Sequence, residues 1–395
     1  MIFKESVSCC DKMYTITFLL FIAFTYVNGQ DRQIISKLNP GCQQCTDHQT
    51  LVYIKADSSR DSIHQIWDFT RGAPTVIYTV ASLNSSLTVT WDKTKPVKIE
   101  LSETPEYSFA AAIDKLYEYD DLEDVGHIDR KCPQRALSLH HLSWRRNDSI
   151  LTDREAKVIM QGTFRDRRQT GIINMKLDLL PFKDYATDLP HLIHTANSTL
   201  VDVSLVNMTT SRDYNASRFA LRMLLVSTDL PQDSWNYTMR KSLDDEHTPG
   251  VFEIIEIKSP RYDGGFLQFR PVAYTEPERS VSSSTNAHIS KVNTSLPNES
   301  TLKIFYDDYN PLLVQDMFVS FGLAGDGYYK QHNFTGWSFT IGYGKPPLET
   351  VSLFVIIIIS IGLGVPVLLA LSGITYVLTR RCKQRNPPTR LTNEE

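Results

Sequence analysis

The sequence predicts a mainly β protein, with one or more lumenal β-sandwich-like domains carried on a single C-terminal transmembrane helix in the type I orientation. Three observations lead there. Short alternating or β-branched runs recur from Leu51 to Tyr274; no Asp, Glu, Lys, Arg or His occurs between Glu349 and Arg380; and nine Asn-X-Ser/Thr sequons all precede that apolar stretch.

In Leu87-Thr88-Val89-Thr90-Trp91, strict alternation sets Leu87, Val89 and Trp91 on one face and two threonines on the other, which is strand periodicity. Leu51–Lys55, Ile63–Phe69, Thr75–Ala81, Val97–Leu101, Val158–Phe164, Ile172–Leu180, Leu200–Asn207, Phe219–Ser227, Val251–Ile257 and Phe266–Tyr274 read the same way. Turn residues separate them, as in Arg71-Gly72-Ala73-Pro74 and Asp263-Gly264-Gly265. Phe109–Tyr119 and Leu312–Phe321 fit a helix or a long strand equally well. Residues 30–350 exceed one ordinary core, so two packed sandwich-like units are expected. Within them, residues 276–301 are dominated by Ser, Thr, Asn, Glu and Pro without an apolar period, and read as a flexible glycosylated loop.

Residues 351–379 form the expected span. Val351 to Leu378 at about 1.5 Å per residue reach roughly 42 Å, more than a roughly 30 Å hydrocarbon core requires, and Pro366 supplies a kink. Arg380, Arg381, Lys383 and Arg385 follow at once, which places the tail, residues 380–395, in the cytoplasm. The shorter apolar stretch Tyr14–Val27 follows Lys4 and Lys12 and reads as a signal peptide, residues 1–29.

The sequons are Asn84, Asn147, Asn197, Asn207, Asn215, Asn236, Asn293, Asn298 and Asn333. With Ser and Thr at about 17% of the chain, its sixteen asparagines would give roughly three sequons by accident. A glycan is large and hydrated, so these positions are expected on exposed turns and strand ends. Removal of the signal leaves Cys42, Cys45 and Cys132 on the lumenal side, and both a tight Cys42–Cys45 pair and a bridge to Cys132 with one thiol left over remain open. Cys382, beside the membrane, is a candidate for palmitoylation, and Ser360, Gly362 and Gly364 give the span a small-residue face for helix packing.

Catalytic motifs are missing. No Gly-X-Ser-X-Gly, phosphate-binding loop, dinucleotide fingerprint or zinc-protease helix is present. His140-His141 and the pair His191 and His194 have no Glu or Cys at ligand spacing, and the run Asp120–Asp124 has neither the turn glycine nor the distal Glu of a calcium loop. Asp244, Asp245 and His247 are the most enzyme-like cluster, although no nucleophile accompanies them. A net charge of −4 and a glycosylated chain exclude nucleic acid as the ordinary partner. The reading is a non-enzyme with no cofactor and no metal. Ten histidines, all before the span, gain charge below about pH 6.5, and only modest coupling of stability to pH is expected.

Several stretches then resemble one family. Ser86–Trp91, Ser242-Leu243-Asp244-Asp245-Glu246 with Val251-Phe252, Phe269-Arg270-Pro271-Val272-Ala273-Tyr274, Tyr328-Tyr329-Lys330-Gln331-His332, Gly336-Trp337-Ser338 and Gly344–Pro347 resemble, in order, segments of the glycosylated lysosomal membrane proteins. The resemblance covers roughly residues 50 to 379 and implies a non-catalytic accessory subunit in the lysosomal membrane. It also implies a partner, a major-facilitator-type lysosomal transporter of small peptides, engaged through the lumenal domain and the transmembrane helix and shielded from lumenal proteases. Two features depart from the family: the tail has no tyrosine for a tyrosine-based sorting signal, and no lumenal cysteine follows Cys132. A single-pass β-sandwich adhesion or ligand-binding receptor is the alternative, and a lumenal hydrolase ranks third.

Overall fold

Alternating side chains build twenty strands in the computed structural model, which describes residues 32–129, 131–164, 170–182, 186–242, 251–348 and 353–385. Residues 1–29, expected as a signal peptide, and residues 386–395 of the tail lie outside the described residues.

Eighteen of the strands form two antiparallel sheets, and the other two pair as a separate hairpin. The first runs β1 (Gln33–Leu38), β2 (Leu51–Asp57), β3 (Ser62–Asp68), β4 (Thr75–Ala81), β7 (Tyr107–Asp120), β13 (Ser217–Ser227), β19 (Leu313–Phe321) and β18 (Ser282–Ile289), with β8 (Gln134–Ser138) on the second half of β7. The second runs β9 (Leu142–Leu151), β10 (Ala156–Phe164), β11 (Ile172–Leu179), β12 (Ser198–Val206), β20 (Phe334–Tyr343), β16 (Gly265–Phe269), β15 (Glu253–Lys258) and β14 (Asn236–Lys241). β17 (Val272–Tyr274) touches β20 through a single pair, and β18 closes one side by changing sheets: Ser282–Ser284 pair with β17, Thr285–Ile289 with β19.

One core lies between the sheets. Period two sends Val201, Val203 and Leu205 of β12, Trp337, Phe339 and Ile341 of β20, and Phe219, Leu221, Met223 and Leu225 of β13 into it. The Tyr78 hydroxyl crosses the gap, lying 3.0 Å from Ile341 O and 2.8 Å from Thr199 Oγ1. A smaller core covers the outer face of the first sheet, where the hairpin β5 (Leu87–Asp92) and β6 (Lys95–Leu101) and the short helix α1 (Thr301–Phe305) pack on Leu51, Ile77 and Leu224. Leu87, Val89 and Trp91 point together into that layer, as their alternation predicts.

Several expectations are corrected. Through Pro347 the described residues form one compact unit, a single two-sheet sandwich where two packed units were expected, because β13 and β20 are each flanked on both sides and leave no seam. Residues 276–301 are not a flexible excursion throughout. They contain β18, an edge strand whose Ser283 and Thr285 face inward and need only the space short hydroxyl side chains fill. Both ambiguous segments are strands, β7 and β19. Phe266–Tyr274 divides into β16 and β17 at Arg270-Pro271, where proline offers no N–H to a ladder.

After the short helix α2 (Tyr328–His332), the apolar C-terminal stretch is a second unit, helix α3 (Leu353–Arg385), with Pro366 inside it. Its span-like part, Ile356–Arg381, has a mean hydropathy of 2.4.

Trp337 is fully buried on the central strand, with its ring 4.6 Å from Phe339 and 5.2 Å from Phe269. Trp337→Ala is expected to cost about 3–5 kcal/mol, read by chemical denaturation of the full-length chain in detergent with circular dichroism as the probe. A loss below about 1 kcal/mol would show that the core does not close on this ring.

Candidate functional site

The outer surface is the candidate site, and the sequon asparagines define it. Asn84 lies exposed in the turn after β4, Asn215 just before β13, Asn236 at the first position of β14, and Asn293 and Asn298 in the exposed segment before α1. Asn147 is the unpaired residue of a bulge in β9: Arg146 opposes Met160 and Asp148 opposes Ile159, and the residue between them is left exposed. Asn207 and Asn333 end β12 and precede β20, both at positive φ (50° and 53°), and the Asn207 N–H donates to Asn333 O at 2.8 Å. Asparagine tolerates that backbone better than most residues, so the turns that suit it also expose it.

Asn197 differs. It is half-buried between buried Ala196 and Ser198, and its Oδ1 accepts a 2.6 Å hydrogen bond from Nε of Arg32. Arg32 is 1% exposed and also pairs with Asp61 at 2.7 Å, so the asparagine carbonyl oxygen serves the fold itself.

The end of the sandwich that carries Asn207, Asn215 and Asn333 is held by Arg218. Its guanidinium, 3% exposed, meets Asp121 at 2.8 Å and Asp124 and Asp326 at 2.5 Å each, and lies 4.6 Å from the Tyr328 ring centre. The acidic run Asp120–Asp124 is thereby structural: Asp120 accepts from the Ala216 N–H, and Asp121 from those of Val125 and Gly126. Gly322 stands at positive φ, and a Cβ there would meet Arg218 Nη1 at 2.6 Å. Hydrogen bonds from the Gly325 N–H and from Arg218 hold the Asp124 carboxyl below its ordinary range. Sequence reading missed this cluster because its members are far apart in the chain.

The remaining candidates separate. Cys42 and Cys45 form a disulfide, with Cα atoms 5.8 Å apart, and Cys132 is a half-exposed free thiol. His140 and His141 end a single 3₁₀ turn, His194 is buried, and among the described residues no three His, Cys, Asp or Glu side chains converge as a metal site. Asp244, Asp245 and His247 lie outside the described residues. Concavities beside Tyr328 and beside Trp144 have volumes of about 20 and 90 Å³, below the roughly 300 Å³ at which small-molecule sites begin. In α3, Ser360 and Gly362 are exposed, and a Cβ on Gly362 or Gly364 would meet nothing within 4 Å. The side chain of Cys382 lies outside the described residues.

Comparison with known proteins gives a consistent result. The family model for glycosylated lysosomal membrane protein matches residues 50–384. Glycosylated lysosomal membrane protein B of Xenopus laevis is 27% identical over 394 residues, covering 92% of this chain and 95% of the relative. The human protein of that name is 25% identical, with 90% of each chain covered, and the Mus musculus protein is 26% identical, with 84% of each covered. None of these names is that of an enzyme.

Two groups of buried residues set opposite responses to acid. His64, fully buried with Nδ1 2.8 Å from the Tyr53 hydroxyl, is lowered to about 4, chiefly by burial and then by the Lys55 cation. Its ordinary value is about 6.5, so below that pH the unfolded chain takes up the proton first and stability falls. Burial raises Asp178 to about 6, and raises Asp68 and Asp114 as well. For Asp178 stability is fully present below about pH 3.9 and is lost as pH rises through about 6. Between pH 7 and 5, His64 therefore costs about 2 kcal/mol and Asp178 returns about 1 kcal/mol. His64→Gln is expected to shrink the acid-induced loss and Asp178→Asn to enlarge it, measured by denaturation of the full-length chain at both pH values; shifts of opposite sign would refute the assignment.

Site-resolved enzymatic deglycosylation with heavy-oxygen labelling is expected to mark the eight exposed asparagines in protein isolated from cells. Asn197 is expected to show the lowest occupancy, and near-complete occupancy there would mean that the Arg32 contact accommodates a glycan.

Proposed function

The chain belongs to the glycosylated lysosomal membrane protein family, and from that premise we propose that it is a non-catalytic accessory subunit of a major-facilitator-type lysosomal peptide transporter. It shields that transporter from lumenal proteases and supports its residence in the lysosome. The topology is type I: signal peptide removed, sandwich in the lumen, one span, and a basic cytoplasmic tail.

One observation carries the reading. Eight of the nine sequons sit at exposed positions of a strand-built body with a continuous apolar core, and the concavities beside Tyr328 and Trp144 are small. A body of this kind keeps macromolecules away more readily than it transforms small ones: a protease needs an extended substrate segment, and turns that carry glycans deny it the approach. Antiparallel pairing also holds the backbone of nearly half of the described residues in ladders, where it does not fit a protease cleft. Support for a membrane partner comes from α3, whose Ser360, Gly362 and Gly364 let a second helix approach closely.

Depleting this protein is expected to lower the steady-state amount of the transporter without changing its transcript, and inhibitors of lysosomal proteases are expected to restore it. Quantitative immunoblotting beside transcript measurement decides the matter, and an unchanged transporter level would overturn the proposal.

A further inference from the structure

We propose that the concavity beside Trp144 is a binding site for a tetrahedral oxyanion, the phosphate or sulfate group of a free ion or of a small ester. Separate stretches of chain build it, and no carboxylate is among the side chains that line it.

The fold supplies an apolar floor. Phe69, just after β3, and Leu142 and Trp144 of β9 are buried, and the Phe69 and Trp144 rings meet edge to face at 5.2 Å. The Trp144 indole N–H is already engaged, donating to Gly72 O at 2.5 Å. The rest of the lining comes from Thr70, from Ser143, from Thr94 and Lys95 at the turn of the β5–β6 hairpin, and from His48 and Gln49 in the loop after the Cys42–Cys45 disulfide. Hairpin, loop and β9 are tied to one another. The Trp91 indole N–H donates to Pro40 O at 2.9 Å, Asn39 Nδ2 to Gln49 O at 2.9 Å and the Arg146 N–H to Asp47 O at 2.7 Å, while His48 Nδ1 lies 3.2 Å from Trp144 O. The site is therefore assembled before a ligand arrives, which lowers the entropy cost of binding.

Unused donors select an anion. Lys95 is exposed and pairs with no carboxylate among the described residues, and neither the Thr94 nor the Ser143 hydroxyl is hydrogen-bonded within them. The Thr70 hydroxyl oxygen is buried without a hydrogen-bond partner, although the Thr70 N–H donates to Asp68 Oδ1 at 2.9 Å. A buried hydroxyl without a partner is destabilising, and a ligand oxygen in the concavity removes that penalty. Gln49 Oε1 accepts from the N–H and hydroxyl of Thr46 at 3.2 and 3.0 Å, which leaves its NH2 as a further donor. The neighbouring acids are engaged elsewhere: Asp47 with Arg146, and Asp68 with the Thr70 N–H and the Thr301 hydroxyl. Asp92 opposes Lys95 in the hairpin register but forms no ion pair with it.

Size and shape narrow the class. A volume of about 90 Å³ is far below the roughly 300 Å³ of an organic-ligand pocket, yet it has room for several water-sized groups, as one central atom with its four oxygens requires. Hydroxyls, an amide and a point-charge ammonium, arriving from different chain segments, match acceptors that point in several directions. A planar carboxylate is better matched by an arginine fork, and no arginine lines the concavity. The apolar floor lowers the local dielectric and so strengthens the attraction between Lys95 and the ion. Exposed Lys95 and His48 mark the open side, from which the remainder of an ester would project.

Isothermal titration calorimetry of the full-length chain in detergent tests the site, with sodium phosphate, sodium sulfate and glucose 6-phosphate as titrants and sodium chloride at matched ionic strength as the blank. Single-site binding of phosphate or sulfate is expected, and Lys95→Met and Thr70→Val are each expected to weaken it about tenfold, the worth of one hydrogen bond to a charged group. Lys93→Met removes the same charge from the same hairpin outside the concavity, and is expected to change nothing. Tighter binding of the inorganic ions assigns the site to a free ion and tighter binding of glucose 6-phosphate to an ester, and either result supports it. Because Lys95 is exposed, Lys95→Met decides the matter even where Thr70→Val disturbs folding. Neither heat above the blank nor a rise in Tm with any of the three titrants, binding unchanged in Lys95→Met, or an equal loss in Lys93→Met overturns the site.

Discussion

The packing of two inner sheet faces against each other is the constraint on which the rest of the structure depends. Because side chains alternate along a strand, every residue sent inward fixes its neighbours outward, and a shift of one residue would exchange the two sets. β20 shows the rule at full strength: Trp337, Phe339 and Ile341 enter the common core, while Gly336, Ser338 and Thr340 face the opposite way. The surface that carries the sugars is thus the complement of the core, and its position is set by the same period.

That dependence explains how much was legible from the chain. Eleven strand-like runs, the apolar C-terminal helix and the exposure of most sequon asparagines follow from local periodicity and from the hydration of glycans, and all are present. What escaped was non-local. β20, flanked on both sides in the second sheet, does alternate from Trp337 to Ile341, but Gly336 and Gly342 interrupt the apolar pattern and stand where Cβ atoms would strike Phe334 and Phe266. β9 carries charged and polar residues, Arg145, Arg146, Asn147 and Asp148, beside inward Trp144, and its bulge breaks the period. β14 is exposed at nearly every position, so no burial pattern could mark it. The serine- and threonine-rich β18 reads as flexible loop because composition reports the average demand for burial and an edge strand makes little demand.

The Arg218 cluster shows a second limit of local reading. An arginine nearly removed from water with three carboxylates is costly to assemble and more costly to break, since loss of one partner leaves buried charge unmatched. In return the contact joins the turn after β7, the body of β13 and the loop after β19, which are 94 to 108 positions from one another across the pairs involved. The loops that present Asn215 and Asn333 flank this cluster, so these two sequons stand on a rigid base. Taken alone, the acidic run shows only that it lacks the turn glycine and distal Glu of a calcium loop; the arginine that gives it a role lies on another strand.

Covering and docking place contradictory demands on one surface, because a glycan that keeps a protease away also keeps a partner away. A sandwich can satisfy both by dividing its faces, since turns and strand ends accept bulky modifications while the middle of a strand, flanked by neighbours about 4.8 Å away, does so poorly. Six of the exposed sequons lie in turns or next to strands and helices, Asn236 opens β14, and Asn147 occupies a place within β9 where a bulge turns the backbone outward. The same geometry that puts the sequons at turns and strand ends leaves the middle of most strands without them, so the two demands fall on different parts of a surface set by one period.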